Sequence, residues 1–387
     1  MPGAARFDVL VPPPADGSTR ARLGRLELPH GAVETPMFMP VGTNATVKAL
    51  HPDDLEEAGV QIVLANTYHL YLRPGHERIE RLGGLHRFMG WERPILTDSG
   101  GFQVVSLGDL NIIDDDGVTF RSHHDGSSHR FTPETSIAIQ EALGPDVAVA
   151  FDQPVPPSST DPRDVAIATE RTHRWAERSL AAHRRTDQAL FGVIQGGLDP
   201  DLRRRSTAAI AALPFDGLNI GGLAGDETPA QRAAVLDLVV PLLADDPRVR
   251  YLMGLGSPVD LLDAVHQGID LFDSVLPARV ARNGQVWVPG GRLNLRNERF
   301  RDDPRPIQEG CPCLACRRFS RAYVAHLFRA GELLAYRLAT CHNLTFTLDF
   351  MSKIRAALRA GTFPQRLPDL RSLASQRSRD EAAAQLA

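Results

Sequence analysis

The strongest constraint on the fold is a repeat of short apolar runs and longer amphipathic stretches from about Pro52 to Gly268. Seven runs are predicted to be strands, at 61–65, 94–97, 146–151, 190–194, 217–220, 250–253 and 269–272. The helical patterns between them are clearest at 133–143, 161–184, 199–212, 228–243 and 257–267. Strand, loop and helix units of this length predict an α/β fold with a parallel sheet, and about seven or eight of them favour a (β/α)8 TIM barrel. An open, doubly wound sheet is the alternative.

The two ends of the chain differ from this repeat. About 40 N-terminal residues are rich in proline and carry the alternating run Leu26-Glu27-Leu28, which predicts a β-hairpin that caps the barrel. We expect three parts: a barrel with its β cap over residues 1–278, a metal-binding subdomain with the closing barrel helix over 279–365, and a flexible tail over 366–387.

The four cysteines indicate a structural metal site. Cys311, Cys313 and Cys316 form a C-x-C-x-x-C run, and Cys341-His342 follow later. Three thiolates at this spacing can wrap one zinc ion, and a fourth ligand completes a closed tetrahedral site. Adjacent residues point in different directions, so only one of Cys341 and His342 should ligate the ion. The spacing favours neither.

Composition and charge limit the class of protein. The chain has 387 residues, 43% of them hydrophobic, which is enough for a large core. No run of about 18 apolar residues and no leader pattern occurs, so we expect a soluble, cytoplasmic protein without a membrane span. The formal net charge is −4, yet residues 279–329 hold eleven arginines and only four acidic residues. This segment predicts a lobe that binds a polyanion.

Polar residues follow the predicted strands where a barrel enzyme has its active site. Asp98, Asp152, Gln195 and Asp273 each come directly after an apolar run, and glycines lie beside them. The carboxyl ends of barrel strands meet at one mouth, so these side chains are predicted to share a pocket. Carboxylates without a histidine-rich metal cage suit glycosyl transfer. The sequence has no phosphate-binding P-loop and no strand-led dinucleotide fingerprint.

Six runs resemble one enzyme family, over about residues 7–359. These runs lie at 30–43, 66–70, 97–103, 122–127, 193–196 and 272–277. They are similar to tRNA-guanine transglycosylases of the bacterial type, also called queuine tRNA-ribosyltransferases. The resemblance implies an irregular (β/α)8 barrel with a zinc subdomain. It also implies exchange of guanine for a 7-deazaguanine at the wobble position of tRNAs with G-U-N anticodons, and a homodimer.

The same resemblance assigns roles to individual residues. Asp273 matches the nucleophile that attacks ribose C1′, and Asp98 matches the general acid/base. The substrate-binding positions are Asp98, Ser99, Gly100, Gly101, Phe102, Asp152, Gln195, Gly222, Leu223, Ala224 and Met253. The tRNA-binding positions are Gly254, Leu255, Gly256, Ser257, Asp260, Ala278, Arg279, Val280, Ala281 and Arg282. The ligands of one structural zinc per subunit are Cys311, Cys313, Cys316 and His342.

Two departures from the bacterial pattern fall near the incoming base. The chain reads Gln153-Pro154-Val155-Pro156 where Glu-Cys-Thr-Pro is common, and Gly225 stands where valine is common. Loss of a valine side chain opens room for a larger substituent. We expect 7-aminomethyl-7-deazaguanine as the base, with queuine as the alternative.

Two other classes of function compete with this interpretation. A noncatalytic tRNA-binding partner subunit would lack the catalytic carboxylates, whereas Asp98 and Asp273 are both present. A metal-dependent barrel hydrolase would use His123 and His124 as ligands, but adjacent histidines do not easily share an ion. Tyr323, His326 and Phe328 are predicted to form an apolar contact surface for a dimer.

Overall fold

The computed structural model of the chain describes residues 4–106, 111–155, 161–225 and 227–375. In chain order its strands are β1 (Arg6–Val11), β2 (Leu23–Leu28), β3 (Gly31–Thr35), β4 (Met37–Gly42), β5 (Val63–Ala65), β6 (Ile95–Thr97), β7 (Ile112–Ile113), β8 (Val118–Arg121), β9 (Ser128–Phe131), β10 (Val147–Val149), β11 (Ala189–Ile194), β12 (Gly217–Ile220), β13 (Val249–Leu252), β14 (Leu271–Ser274), β15 (Gln285–Val288) and β16 (Gly291–Asn294). Its helices are α1 (Pro52–Glu57), α2 (Thr67–Leu72), α3 (His76–Arg81), α4 (Gly84–Met89), α5 (Gly101–Ser106), α6 (Pro133–Leu143), α7 (Pro162–Ala182), α8 (Pro200–Ala211), α9 (Pro229–Leu242), α10 (Pro258–His266), α11 (Leu276–Arg282), α12 (Leu314–Arg318), α13 (Arg321–Ala330), α14 (Leu333–Arg359) and α15 (Phe363–Ala374). A 3-10 helix covers Glu298–Phe300.

Eight parallel strands close into a barrel in the order β4, β5, β6, β10, β11, β12, β13, β14. The last strand pairs with the first, so that Phe272 lies beside Phe38 and Asp273 beside Met39. The predicted (β/α)8 barrel is therefore confirmed, and the open sheet is excluded. The seven predicted strands all form, and β4 supplies the eighth from a segment that begins within the predicted cap.

Local sequence signals account for where the long helices begin. Thr132 and Asp161 accept hydrogen bonds from the backbone N–H groups of Thr135 and Arg163, and a proline occupies the first turn of each helix. Such a cap satisfies N–H groups that have no partner within the helix. Strands β10 to β13 are buried along their whole length, because helices cover the outside of the barrel and side chains fill its interior.

The N-terminal cap is a three-stranded antiparallel sheet in the order β1, β2, β3, one strand more than the predicted hairpin. It is joined to the barrel by an ion pair between Arg22 and Asp270, whose side chains are 4% and 0% exposed. The guanidinium donates two hydrogen bonds to the carboxylate, at 2.9 and 2.6 Å. The pair therefore fixes the cap at the N-terminal end of β14.

Two segments interrupt the regular alternation. Strands β7, β8 and β9 form a small antiparallel sheet between the third and fourth barrel strands, beside the mouth. After β14, the hairpin β15–β16 and helices α12 and α13 pack near the long helix α14. Among the described helices, none combines the length and the apolar character needed to cross a bilayer.

The structure qualifies the predicted division of the chain. Helix α11 spans the boundary placed between residues 278 and 279, so the chain is continuous helix at that point. The flexible tail was predicted to begin at residue 366, but α15 continues to Ala374, with Leu370 and Ala374 buried against the body of the protein. That part of the prediction is wrong, and residues 376–387 lie outside the described residues.

Replacing Arg22 with methionine is expected to reduce the free energy of unfolding by about 3–5 kcal/mol, because the Asp270 carboxylate would remain buried without its counter-charge. Urea unfolding followed by circular dichroism measures this. The matched control is Arg6→Met, which breaks an exposed pair with Asp8 and is expected to change stability by less than about 1 kcal/mol. Equal effects of the two substitutions would contradict a structural role for the buried pair.

Candidate active site and metal centre

The barrel mouth collects the polar residues that follow the strands. Asp98 comes after β6, Asp152 after β10 and Gln195 after β11, and Asp273 lies within the C-terminal half of β14. All four side chains are buried or nearly so, at 8%, 5%, 1% and 9% exposure. The structure thus brings the predicted carboxylates and the glutamine together in one buried polar site.

Asp98 is held by three donors. Asn66 Nδ2 and Gln103 Nε2 donate to Oδ2 at 2.6 and 2.9 Å, and the backbone N–H of Thr67 donates to Oδ1 at 2.9 Å. Burial raises the pKa of Asp98, and these hydrogen bonds oppose the rise. The residue is oriented by its neighbours and can exchange a proton closer to neutral pH than an exposed aspartate can.

Asp152 and Gln195 form a hydrogen-bonded pair. Gln195 Nε2 donates to Asp152 Oδ2 at 2.7 Å, and Ser99 Oγ donates to Oδ1 at 3.0 Å. Burial, with a contribution from the charge of Asp98, raises the pKa of Asp152 to about 6. Gln195 Oε1 is buried and has no hydrogen-bond partner within the described part of the chain. An N–H group of a ligand at the mouth would satisfy this acceptor.

Asp273 has one oxygen engaged and one available. Tyr251 Oη donates to Oδ1 at 2.6 Å, and the backbone N–H of Gly254 donates to the same oxygen at 2.7 Å. Oδ2 receives no hydrogen bond from the residues that the structure describes. Burial raises the pKa of Asp273 to about 6, and the charge of Asp98 adds to this. Burial and the charge of Asp273 also raise the pKa of Tyr251, so the phenol remains a donor.

Two glycines permit the close approach of backbone at this site. A Cβ at Gly101 would lie 2.4 Å from the carbonyl oxygen of Asp152. Gly222 has a φ of +72°, and a Cβ there would lie 2.7 Å from Gln195 Oε1. Any side chain at either position would displace the groups that line the pocket.

The remaining predicted substrate positions divide into surface and core. Phe102 is 61% exposed on α5, Met253 is half-buried after β13, and Ala224 is exposed. Leu223 is fully buried, so only its backbone can face a ligand. Phe102 and Met253 are the two large apolar side chains of the set that remain accessible to a flat base.

The predicted tRNA-binding residues lie on the loop after β13, on α10 and on α11. Leu255 and Ala281 are buried, so contacts there would involve backbone only. Asp260 Oδ1 accepts a hydrogen bond from Arg232 at 2.6 Å, and its backbone N–H donates to Ser257. Arg279 and Arg282, together with Lys48, line a cavity of about 200 Å³ that begins next to Asp273, at Ser274.

Ion pairing reduces the charge of the basic lobe. Within residues 279–329, Arg301, Arg305, Arg317, Arg321 and Arg329 each pair with a carboxylate. Arg279 and Arg282 have no carboxylate partner in the described chain. Part of the positive charge that remains for a polyanion therefore lies beside the barrel mouth, where Arg279 and Arg282 line the cavity next to Ser274.

The zinc site is closed and its histidine is oriented. Among the described residues, Cys311, Cys313, Cys316 and His342 place four ligand atoms within 4.8 Å of one another. The thiolate sulfurs lie 3.7, 3.7 and 3.3 Å from His342 Nδ1, against about 3.6 Å expected across a tetrahedral zinc. The residues fit the ion, and the earlier ambiguity between Cys341 and His342 is resolved in favour of His342.

A second contact fixes the histidine tautomer. His342 Nε2 donates to the carbonyl oxygen of Trp287 at 2.7 Å, which leaves the Nδ1 lone pair for the metal. His342 belongs to the 27-residue helix α14, and Trp287 belongs to β15. Zinc is a structural cofactor here, because three thiolates and one imidazole leave no open position, and it joins the C-x-C-x-x-C loop to the barrel's closing helix.

Several residues of the site had no sequence signal. Tyr251 reads as an ordinary strand aromatic, and nothing in the sequence links it to Asp273. Arg203 is fully buried and donates to the carbonyl oxygens of Ile194, Gly197 and Gly221, which fixes the strand ends that carry Gln195 and Gly222. Burial lowers its pKa to about 9, so it is still charged at neutral pH. An arginine on an amphipathic helix normally faces solvent, so the sequence predicted nothing of this kind.

The two departures near the base pocket have definite environments. Gln153 Oε1 accepts a hydrogen bond from Arg171 at 2.7 Å, and Pro154 is buried. The Gln153 side chain is therefore engaged with α7. The backbone N–H of Gly225 donates to Glu227 Oε2 at 2.9 Å, and Arg232 holds the other oxygen of that carboxylate. Pro156 lies outside the described residues.

Metal ligands at the mouth are not seen in the described chain. The other group with suitable spacing is His30, His86 and Asp146, and Asp146 precedes β10 at the opposite end of the barrel. His123 instead bonds Tyr68 Oη through Nδ1 at 3.0 Å. This arrangement does not favour the barrel hydrolase with His123 and His124 as ligands.

Fold and site together define an α/β barrel enzyme with a carboxylate-lined mouth and an appended Cys3His zinc site. Its sequence matches the family model described as queuine tRNA-ribosyltransferase over residues 16–372. The chain therefore belongs to the queuine tRNA-ribosyltransferase family and is a pentosyltransferase.

Similar proteins of the same name agree with this assignment. Three proteins named queuine tRNA-ribosyltransferase are each 54% identical to the chain. The one from Symbiobacterium thermophilum aligns over 364 residues, 94% of this chain and 90% of its own. The protein from Desulforamulus reducens aligns over 88% of this chain and 92% of its own. The protein from Moorella thermoacetica aligns over 92% and 95%, respectively.

Cys313→Ser is expected to reduce the zinc content of the purified protein well below one ion per chain and to lower its melting temperature, because a ligand is lost. Cys341→Ser is the matched control. Cys341 is buried with a pKa raised by burial to about 11, and it lies outside the ligand set. Elemental analysis by mass spectrometry measures the metal. Loss of zinc from the Cys341 variant alone would contradict the assignment of His342.

Proposed function

We propose that this enzyme exchanges guanine at the wobble position of tRNAs with G-U-N anticodons for a 7-deazaguanine, by double displacement through Asp273. Asp273 supports the proposal most directly, because Tyr251 and Gly254 both donate to its Oδ1 and leave Oδ2 without a hydrogen-bond donor among the described residues. A carboxylate fixed in this way presents one oxygen as a nucleophile at a site that also holds a second, protonatable carboxylate, Asp98.

In the first displacement, Asp273 Oδ2 attacks ribose C1′ while the bond from C1′ to guanine N9 breaks. The electron pair of that bond leaves with guanine, and Asp98 donates a proton to the departing base. The tRNA is then held as an ester of Asp273. Burial raises the pKa of Asp98 toward the pH at which proton transfer is efficient, which supports its role as the acid. The pKa of Asp273, raised to about 6, still leaves the attacking carboxylate ionised at neutral pH.

In the second displacement, the incoming 7-deazaguanine attacks C1′ after Asp98 removes its proton, and the ester bond to Asp273 breaks. Each displacement inverts C1′, so two of them restore the original anomer. The new base then occupies the position of the old one in the anticodon. Retention is required if the modified tRNA is to decode normally.

Base recognition is assigned to the polar pair and the apolar faces. Asp152 and Gln195 would bind the edge of the base, and the unpaired Gln195 Oε1 would accept one of its N–H groups. Phe102 and Met253 would cover its two faces, with the backbone of Gly222, Leu223 and Ala224 along another edge. Stacking combined with edge hydrogen bonds is the general way in which enzymes recognise a flipped-out base.

The partner is tRNA, bound through the loop after β13 and through α11. Arg279 and Arg282 supply positive charge there. We also propose a homodimer that acts in the cytoplasm. Tyr323 is 39% exposed and stacks on Phe319, and Leu333 is 79% exposed, so both are available for a subunit contact. Phe328 is 4% exposed, which removes it from the predicted contact surface.

Asp273→Asn is expected to abolish incorporation of radiolabelled guanine into an unmodified tRNA with a G-U-N anticodon, because an amide is a poor nucleophile. The variant should be more stable than the wild type at pH 7.5. A carboxyl whose pKa is raised contributes stability at acid pH that is lost as pH rises through about 6, a cost of up to about 3 kcal/mol that the amide avoids.

The matched control for this experiment is Asp187→Asn, an exposed residue that pairs with Arg185, for which normal incorporation is expected. A stable Asp273→Asn variant that still incorporates label would contradict the assignment of the nucleophile. Absence of label with the wild type, while tRNA remains bound, would favour the noncatalytic partner subunit.

Exchange is expected to fall about tenfold per pH unit below pH 6, because the attacking form of Asp273 is the carboxylate and its pKa is raised to about 6. Initial rates at saturating tRNA between pH 5 and 8 measure this, and tRNA binding over the same range separates chemistry from affinity. A rate that stays constant down to pH 5 would show that Asp273 has an ordinary pKa or that another step limits the reaction.

We propose 7-aminomethyl-7-deazaguanine as the physiological base. Competition between this base and queuine for the labelled reaction is expected to give the higher kcat/KM for the aminomethyl base. Gly225→Val is the informative variant, because it restores the common bacterial residue. It should lower kcat/KM for queuine and leave kcat/KM for the aminomethyl base within about twofold of the wild type. A strong preference of the wild type for queuine would overturn the choice of base.

A further inference from the structure

A second charged cavity lies beside the barrel mouth and is used by none of the steps above. It has a volume of about 360 Å³ and is bounded by the segment from the end of α2 through α3 and by the hairpin that joins β8 to β9. Arg73, Arg78 and Arg81 line one side of it, and His76 and His124 contribute imidazoles.

The three arginines have no carboxylate partner among the residues that the structure describes. Arg130, on the strand that forms the other wall, donates two hydrogen bonds to Asp114 at 2.7 and 3.0 Å. Three guanidinium groups around one cavity repel one another unless an anion lies between them.

The acidic residues of the cavity compensate this charge only in part. Asp125 is engaged by its own hairpin: the backbone N–H and the hydroxyl of Ser127 both donate to Oδ1, at 3.2 and 2.7 Å. His129 joins Ser127 Oγ to Tyr71 Oη, with contacts of 2.6 and 2.9 Å. This chain of hydrogen bonds orders the wall. Glu77 also lines the cavity and is exposed, which leaves an excess of positive charge.

The position of the cavity relates it to the reaction. Helix α2 begins at Thr67, whose backbone N–H donates to Asp98, and it ends at Leu72 on the cavity wall. Six helical residues span about 9 Å. The opposite wall is also tied to the mouth, since His123 of the hairpin bonds Tyr68 of α2. A polymer whose base enters the mouth would therefore pass its neighbouring backbone close to this cavity.

We propose that the cavity binds a backbone phosphate of the RNA substrate, close in sequence to the nucleotide that is exchanged. The proposal rests on the proposed function in taking RNA as the ligand. Guanidinium groups bind phosphate oxygens in pairs of parallel hydrogen bonds, which suits three arginines converging on one space. Contacts of this kind fix the position and orientation of a nucleic acid without reading its sequence.

The test compares tRNA binding and exchange for the wild type and the triple variant Arg73→Ala/Arg78→Ala/Arg81→Ala. The Kd for tRNA, measured by filter binding without free base, is expected to rise roughly tenfold or more. The slope of log Kd against log salt should fall by about one, as for the loss of one phosphate contact. In the exchange assay the change should appear in KM for tRNA, with KM for guanine within about twofold of the wild type.

The matched control is Arg184→Ala, an exposed arginine after α7, at the opposite end of the barrel, for which affinity and salt slope should stay at wild-type values. An affinity and slope of the triple variant equal to those of this control would overturn the proposal. Binding of inorganic phosphate in the cavity without any effect on tRNA binding would also overturn the proposal, because it would identify a site for free phosphate. A wild type that binds tRNA but exchanges no guanine would refute the proposed function, while the binding comparison would still decide the cavity.

Discussion

Burial of three carboxylates at one barrel mouth is the constraint on which the rest of the site depends. Parallel closure directs the ends of all eight strands to the same place, so the charge of Asp98 contributes to the raised pKa of both Asp152 and Asp273. Their charges cost free energy, and a set of dedicated donors offsets part of that cost: Asn66 and Gln103 for Asp98, for example. The arrangement favours reactivity over stability, which is the usual balance at an active site.

Supports outside the mouth keep this arrangement in place. Arg203 fixes the backbone at the ends of β11 and β12, and the Arg22–Asp270 pair fixes the cap against β14 from below. The zinc site acts through α14, which carries His342 and packs against α11, the helix that follows the strand of Asp273. Metal binding thus stabilises the segment that presents Arg279 and Arg282. The zinc has no part in the chemistry, but it orders the surface assigned to tRNA.

Periodicity and cap residues predicted the barrel, because each strand and helix carries its own local signal. Thr132 and Asp161 mark helix starts, and the apolar runs of β10 to β13 mark strands buried on both faces. The eighth strand was partly hidden within the predicted cap, since β3 and β4 follow one another with only Pro36 between them. The tail was placed too early because α15 is a polar helix whose contacts are tertiary. Tertiary contacts of this kind leave no strong periodic pattern in the sequence, so a docked polar helix cannot be distinguished from a solvated segment.

Some residues of the site could be predicted from the sequence and others could not. Residues at strand ends, such as Asp98 and Gln195, could be placed by topology alone. Tyr251 and Arg203 could not, because their roles depend on which strand neighbours which and on a side chain turned into the core. His342 was chosen over Cys341 by resemblance to the family, and the contact to Trp287 now supplies the physical reason. The engagement of Gln153 by Arg171 likewise depends on a distant helix and has no counterpart in the local sequence.

In the proposed mechanism Asp273 forms a covalent bond to the ribose of its substrate. The most direct test is to incubate the enzyme with a G-U-N tRNA, denature it rapidly, digest protein and RNA, and analyse the peptides by mass spectrometry. A ribonucleotide that lacks its base is expected as an ester on the peptide that contains Asp273, and it should be absent when Asn replaces that residue. An adduct on Asp98, or exchange that proceeds without any adduct, would contradict this mechanism.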